Sequence, residues 1–313
     1  MTRQTSSDQG RPDSAIADTT PRDPRATDGL ERRTLFGLDF VDAPSLDPVL
    51  EAVLNQLPAG GDPLAADSVL PVLVTPNVDI LVQLRNAEHS IEAGVMRRAQ
   101  YVLPDGMPIV AASRLLGSPL ASRLTGSGLF EMLWPALVAQ DRPVLVLTAS
   151  TAIARRLSHE APTAAFVTPP LFDAGDADAV DRVVDELIRE AEARRPELVL
   201  FGIGHPKDPI VAARFLERWP LALGRRPLCC CLGGSFAMYA GFKRRAPGWM
   251  QKAGLEWFFR FVQEPRRLFH RYFVRDVAFL AIVGRALRTR RQGGGDDAPG
   301  GRWVEGDTEG GPR

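Results

Sequence analysis

Four apolar runs in this 313-residue chain stop abruptly in polar or glycine-rich turns. Leu70 to Val74 ends at Thr75-Pro76-Asn77, and Tyr101 to Leu103 ends at Pro104-Asp105-Gly106. Leu198 to Phe201 gives way to Gly202-Ile203-Gly204-His205-Pro206, and Leu228 to Leu232 gives way to Gly233-Gly234-Ser235. Such runs read as buried strands, and in open α/β sheets ligands gather outside the carboxyl ends of the strands. An Asn and an Asp at two of these ends are what a site there would look like. The competing reading is local: Asn77 caps a helix, and Asp105-Gly106 is a tight turn. Ile80, Leu81 and Leu84 fall at helical spacing, so a helix would start near Thr75 and aim unpaired backbone N–H groups at whatever binds, which suits an anion. Gly233-Gly234 would allow a phosphate to approach the backbone closely, although a glycine pair alone is a weak signal.

The elements that must hold these turns alternate. Leu35 to Phe40 reads as one short strand, and Ser45, Pro48 and the apolar positions Val49, Val53, Leu54 and Leu57 start a helix. Further helices are expected after Asn77, through Ile109, Val110 and Leu115, from about Gly128 to Val138, and around Ile153 to Leu157. Pro143 to Leu147 and Ala164 to Val167 read as strands, and Ala177 to Ala193 is the clearest amphipathic helix in the chain. Strands that are unbroken apolar runs, joined through helices, predict a Rossmann-like α/β fold: a mostly parallel sheet covered by helices on both faces. The G-x-G-x-x-G fingerprint is missing between a first strand and helix, which disfavours a nicotinamide oxidoreductase.

Composition sets the frame. Hydrophobic residues make up 45% of the chain, enough for a real core, and the formal net charge is zero. That balance argues against a general nucleic-acid binder. It also conceals an asymmetry, because residues 242 to 275 carry nine basic residues against Glu256 and Glu264, a local excess of seven. Trp249, Trp257, Phe258, Phe259, Phe261, Phe269, Tyr272 and Phe273 are interleaved with those charges, and Arg267, Arg271 and Arg275 recur every fourth position. Two readings fit: a solvated basic face on a helix packed into the core, or an element lying on an anionic membrane surface. Val277 to Val283 is far shorter than the roughly 20 apolar residues that span a bilayer. The domain reading is therefore a disordered arm over 1–33, an α/β core over 34–241, a basic aromatic C-terminal appendage over 242–290 and a disordered tail over 291–313. The three cysteines, Cys229-Cys230-Cys231, are consecutive on a strand and so face alternately, which suits neither a disulfide framework nor zinc and points to a reducing cytoplasm. The polar N-terminus has no apolar stretch of signal-peptide type.

Several of these motifs, taken in order, resemble the WecG/TagA/CpsF family of membrane-associated glycosyltransferases. They are Thr75-Pro76-Asn77, Leu103-Pro104-Asp105-Gly106, Arg123 with Gly126-Ser127, Gly202 to Lys207, Gly233-Gly234-Ser235-Phe236 and Gly241 to Pro247. Ala253-Gly254-Leu255-Glu256-Trp257-Phe258-Phe259-Arg260 and Gln263-Glu264-Pro265-Arg266-Arg267 carry the resemblance furthest. It implies transfer of N-acetylmannosamine or a related hexose from a UDP-sugar to a saccharide on a polyprenyl diphosphate, in cell-envelope or exopolysaccharide synthesis, on the cytoplasmic face of the plasma membrane.

The resemblance also assigns residues. Asp105 is the expected general base, because a sugar hydroxyl needs a carboxylate in hydrogen-bond reach to accept its proton. Thr75, Asn77, Arg123, Asp208, Gly233 and Gly234 are expected to bind substrate. Arg260, Arg266, Arg267 and Arg271 are expected at the diphosphate or the lipid. No metal-binding D-x-D cluster is visible and no cofactor is expected, so arginines and helix N-termini would have to stabilise the departing diphosphate. Homo-oligomerisation stays open, and no nucleic-acid partner is expected. The chain departs from the family pattern at Asp208, where Gln is common, and at Gly128 and Ala237, where Asp is usual. A second reading is therefore a catalytically weakened homologue acting as a membrane-bound partner in polysaccharide assembly.

Overall fold

In the computed structural model, which describes residues 23–55, 68–87, 89–243 and 276–292 together with residues 247 and 250, eight strands form one sheet. The strands are β1 (Glu31–Leu35), β2 (Leu38–Asp42), β3 (Leu70–Val74), β4 (Ala99–Val102), β5 (Val144–Thr148), β6 (Ala165–Val167), β7 (Leu198–Gly202) and β8 (Leu228–Cys231). Their spatial order is β1-β2-β4-β3-β8-β7-β5-β6, with β1 and β2 antiparallel and every other pairing parallel. The mostly parallel Rossmann-like sheet is thus present. Its central strands are buried on both faces, which is why they read as continuous apolar runs.

The first strand differs from expectation. The stretch Leu35 to Phe40 is a hairpin with its turn at Phe36-Gly37, whose φ values of 53° and 67° are both positive. Such a two-residue turn matches the twist of paired strands, and a Phe in that position hides it from sequence reading. Order also begins before residue 34. Pro24–Ala26 forms a 3-10 turn, and Arg25 donates to Asp39 Oδ2 at 2.7 Å and to the Ala99 carbonyl at 2.6 Å, tying the segment to the edge of the sheet.

Helices cover both faces. On one face lie α2 (Val78–Asn86), α3 (Ile91–Arg98), α4 (Met107–Leu115), α7 (Ala177–Arg194), α8 (Lys207–Glu217) and α10 (Asp276–Gln292). On the other lie α1 (Asp47–Asn55), α5 (Gly126–Ala139), α6 (Thr151–Ser158) and the short α9 (Ser235–Tyr239). Cys229 and Cys231 face the first layer and Cys230 the second, as strand alternation requires. All three thiols are free and buried, and burial pushes the Cys230 pKa up to about 12. The apolar run at Val277 to Val283 lies in α10, which packs against α2: Phe279, Ile282 and Val283 are buried, and the Phe279 ring lies 5.6 Å from that of Phe36. Among the described residues no helix is long and apolar enough to cross a membrane.

Candidate active site

The ends of β3 and β4 are held side by side beyond the last sheet pair. Leu103 N–H donates to the Val74 carbonyl at 2.9 Å, and Asp105 N–H to the Pro76 carbonyl at 3.1 Å. Thr75-Pro76-Asn77 and Pro104-Asp105 therefore leave the sheet as neighbours. The chain returns along the same edge: Leu124 N–H donates to the Pro104 carbonyl at 3.1 Å, and α5 starts immediately afterwards with Thr125 as its cap, accepting from Gly128 N–H at 3.0 Å. Gly126 N–H, in the first turn of α5, donates to Asp105 Oδ2 at 3.4 Å. Thr75 lies against the same glycine, since a Cβ on Gly126 would stand 2.9 Å from Thr75 Oγ1. Thr75, Asp105 and the N-terminus of α5 are thus one cluster, and Asp105 is only half-buried. Arg123, also half-buried, lies in the segment that runs alongside Pro104.

Asn77 is the N-cap of α2, accepting from Ile80 N–H at 3.1 Å. Of the two readings the sequence allowed for this residue, the capping one is realised, and its Oδ1 already has a partner.

Asp208 differs from the expectation that it meets substrate. It is 2% exposed, and both carboxylate oxygens are taken by backbone: Oδ1 accepts from Ile203 and Gly204 N–H, each at 3.0 Å, and Oδ2 accepts from Gly233 N–H at 2.9 Å. Burial pushes its pKa up to about 6, against the opposing pull of the three amides and of His205. Sequence position alone did not reveal this inward turn. Gly233 has φ +55° and Gly204 φ +98°, conformations that L side chains rarely adopt. Gly202 is required for a different reason, since a Cβ there would fall 2.2 Å from the Phe236 ring. Gly234 is exposed at the same edge.

The crevice between the ends of β3 and β8 is the point where the fold divides. The chain leaves β3 through α2 on one face and leaves β8 through α9 on the other, the arrangement that opens a ligand crevice in doubly wound sheets. Thr75 and Gly233-Gly234 flank it. Gly126 and the Glu92–His205 pair are parts of this edge that sequence reasoning did not single out as carrying a role; Glu92 Oε1 lies 2.6 Å from His205 Nε2. Arg260, Arg266, Arg267 and Arg271 lie outside the described residues. A small cleft of about 40 Å³ lined by Trp134, Asp141, Arg142 and Glu160 opens near the start of β5, at the opposite edge, and none of the expected site residues borders it. Among the described residues no three His, Cys, Asp or Glu side chains come together as a metal site would need.

Gly128 has a packing reason. A Cβ there would stand 2.8 Å from both Leu46 Cδ1 and Thr125 Oγ1, so Leu46 occupies the space an Asp side chain would leave through.

The chain is similar to proteins named N-acetylglucosaminyldiphosphoundecaprenol N-acetyl-beta-D-mannosaminyltransferase in three bacteria. In Bacillus spizizenii (strain ATCC 23059 / NRRL B-14472 / W23) the identity is 26% over 196 residues, covering 62% of this chain and 72% of that protein. In Bacillus subtilis (strain 168) it is 26% over 177 residues, covering 55% and 64%. In Staphylococcus aureus (strain MRSA252) it is 25% over 199 residues, covering 63% and 73%. The description Glycosyl transferase WecG/TagA/CpsF family matches residues 33–293, from within β1 to just past α10, and the chain belongs to that family of glycosyltransferases.

Proposed function

We propose that this glycosyltransferase moves an N-acetylmannosamine-like hexose from a UDP-sugar to a saccharide carried on a polyprenyl diphosphate, with Asp105 as general base. The observation that carries the reading is the joining of Asp105, Thr75 and the N-terminus of α5 at the dividing point of the sheet. The names of the three relatives point to the acceptor class, a lipid diphosphate bearing N-acetylglucosamine.

In this mechanism the acceptor hydroxyl gives its proton to Asp105 as its oxygen bonds to the anomeric carbon, and the bond from that carbon to the diphosphate breaks, inverting the configuration. The leaving UDP gathers negative charge. The positive end of the α5 dipole and the cationic side chains Arg123, Arg260, Arg266, Arg267 and Arg271 are assigned to stabilise it without a divalent metal. Thr75, Gly233 and Gly234 are assigned to the donor. The basic aromatic segment is assigned to the anionic inner face of the plasma membrane, where the lipid acceptor resides.

The decisive experiment incubates the protein with a panel of UDP-sugars and polyprenyl-diphosphate-linked N-acetylglucosamine, with and without EDTA. Transfer of an N-acetylhexosamine that survives EDTA is expected; transfer abolished by EDTA and restored by magnesium or manganese would overturn the metal-independent mechanism. A weakened homologue is favoured by Asp208 facing inward and by Gly128 closed off by Leu46, which leave two familiar polar positions without a side chain for substrate. Binding of UDP with no transfer to any acceptor would select that reading.

A further inference from the structure

We infer that Asp208 is a positioning residue, whose carboxylate sets the spacing between the loops that follow β7 and β8 and so shapes the end of the crevice that takes a nucleoside diphosphate. The inference rests on the transferase reading for its ligand but not for its geometry.

Ile203 and Gly204 belong to one loop and Gly233 to the other, and one buried side chain holds all three amides. The loops also touch, since a Cβ on Gly233 would lie 3.8 Å from Gly204 Cα. The chemistry selects a carboxylate. Only an acceptor-only group can receive three N–H donors on two oxygens; an Asn or Gln amide would turn an N–H₂ towards one of them and leave a buried clash of donors. A proton on Oδ2 has the same consequence, because it competes with Gly233 N–H. Acidification should therefore free the β8 loop while the Ile203 and Gly204 bonds to Oδ1 persist.

Among the described residues few titratable groups face Asp208. His205 sits in the loop it binds, with Glu92 of α3 behind it, and the Cys231 thiol comes from β8. On its own helix the Lys207 ammonium is 4.7 Å from the Phe172 ring centroid. Arg214, a turn and a half further along α8, pairs with Asp181 of α7 and with Glu217.

The test uses the full chain, UDP as the probe in calorimetry, and amide hydrogen exchange at Gly204 and Gly233. In Asp208→Asn, UDP affinity should fall about tenfold to hundredfold, the loss expected when a charge-assisted hydrogen bond is removed, with KM for the donor changing more than kcat. Exchange at Gly233 should accelerate. As pH falls through about 6 the terminal phosphate of UDP takes up a proton in both proteins, and the unaltered protein should lose UDP affinity more steeply than the Asn variant. His205→Gln, which removes a neighbour that favours the charged carboxylate, should move that limb to higher pH. A folded Asn variant with unchanged UDP affinity and unchanged exchange overturns the proposal. If the Asn variant does not fold, a pH-independent Gly233 exchange rate, corrected for intrinsic chemistry, overturns it in the unaltered protein. If that protein binds no UDP at any pH, the transferase reading falls, and Gly233 exchange still decides the positioning role.

Discussion

Asp105 and Asp208 both lie at the carboxyl edge of one sheet, and their surroundings give them different work. Asp105 is half-buried at the open end of the strands, and Oδ2 accepts a long hydrogen bond, 3.4 Å, from Gly126 N–H in the first turn of α5. Asp208 is fully enclosed and its two oxygens are saturated by three amides. The difference that the structure gives is exposure: one carboxylate can be reached from the crevice edge, and the other is closed in between two loops.

The contrast can be broken most directly at Asp105. Asp105→Asn keeps the shape and removes the basic oxygen, so turnover should fall by roughly 10²–10⁴ while UDP affinity changes little. Steady-state kinetics beside calorimetry checks this, and near-normal turnover would remove Asp105 from the chemistry. Asp208 should give the opposite pattern, with binding and loop order affected first.

The next effect is on stability. Asp208 has its pKa raised to about 6 from 3.8, so the folded protein holds this proton more tightly than the unfolded chain. Its stabilisation is complete below 3.8 and is lost as pH rises through about 6, a linkage of about 3 kcal/mol. Urea unfolding of the unaltered protein and of Asp208→Asn at steps from pH 4 to 7 isolates that slope. Equal slopes would mean that the buried carboxylate does not titrate in this window. Global stability and loop order should thus move in opposite directions with acid, because the neutral group is cheaper to bury and a poorer acceptor for Gly233.

A smaller effect is expected at the junction itself. Gly126→Ala places a methyl group 2.9 Å from Thr75 Oγ1 and 3.1 Å from Thr75 Cγ2, which displaces Thr75 from the Asp105 cluster. A shift of under an ångström at a reacting centre can cost up to 10²-fold, so a loss of roughly tenfold to hundredfold in kcat/KM is expected with the melting temperature little changed. Unchanged kinetics would separate Thr75 from the reaction.

Much of this architecture was legible because the central strands are buried on both faces. Leu70–Val74 and Leu198–Gly202 announce themselves as apolar runs with abrupt ends. Three helices did not, α3, α8 and the five-residue α9. In α3 the sequence IEAGVMRR is short and has a glycine at its centre, and in α8 Pro209 looks like a break although it falls in the first turn, where its missing N–H costs nothing. The site was legible as strand ends and turns, and the resemblance supplied Asp105. The inward turn of Asp208 was not legible, since it depends on Gly233 arriving from 25 residues away. Gly128 shows the same limit: its lack of a side chain is explained by Leu46, in a loop 82 positions earlier.

The smallest expected effect, at Asn77, separates two contributions that one residue can make. Its Oδ1 accepts from Ile80 N–H at 3.1 Å and caps α2, and loss of such a cap costs about 1 kcal/mol. The same side chain stands half-buried two residues beyond Thr75, at the end of β3 and at the rim of the crevice. Asn77→Ala should lower stability by about that amount, and Asn77→Asp and Asn77→Ser, which retain a capping oxygen, should restore most of it. Transfer need not follow the same order. If capping is the whole role, all three variants will have the same kcat/KM once folded, whereas a substrate contact made by the amide N–H₂ would be lost in all three, with the Asp variant worst because it adds negative charge beside a diphosphate. Thermal unfolding and donor KM, measured on the same preparations, tell the two apart, and a KM that tracks stability alone would withdraw Asn77 from the binding set and leave Thr75 as the contact from β3.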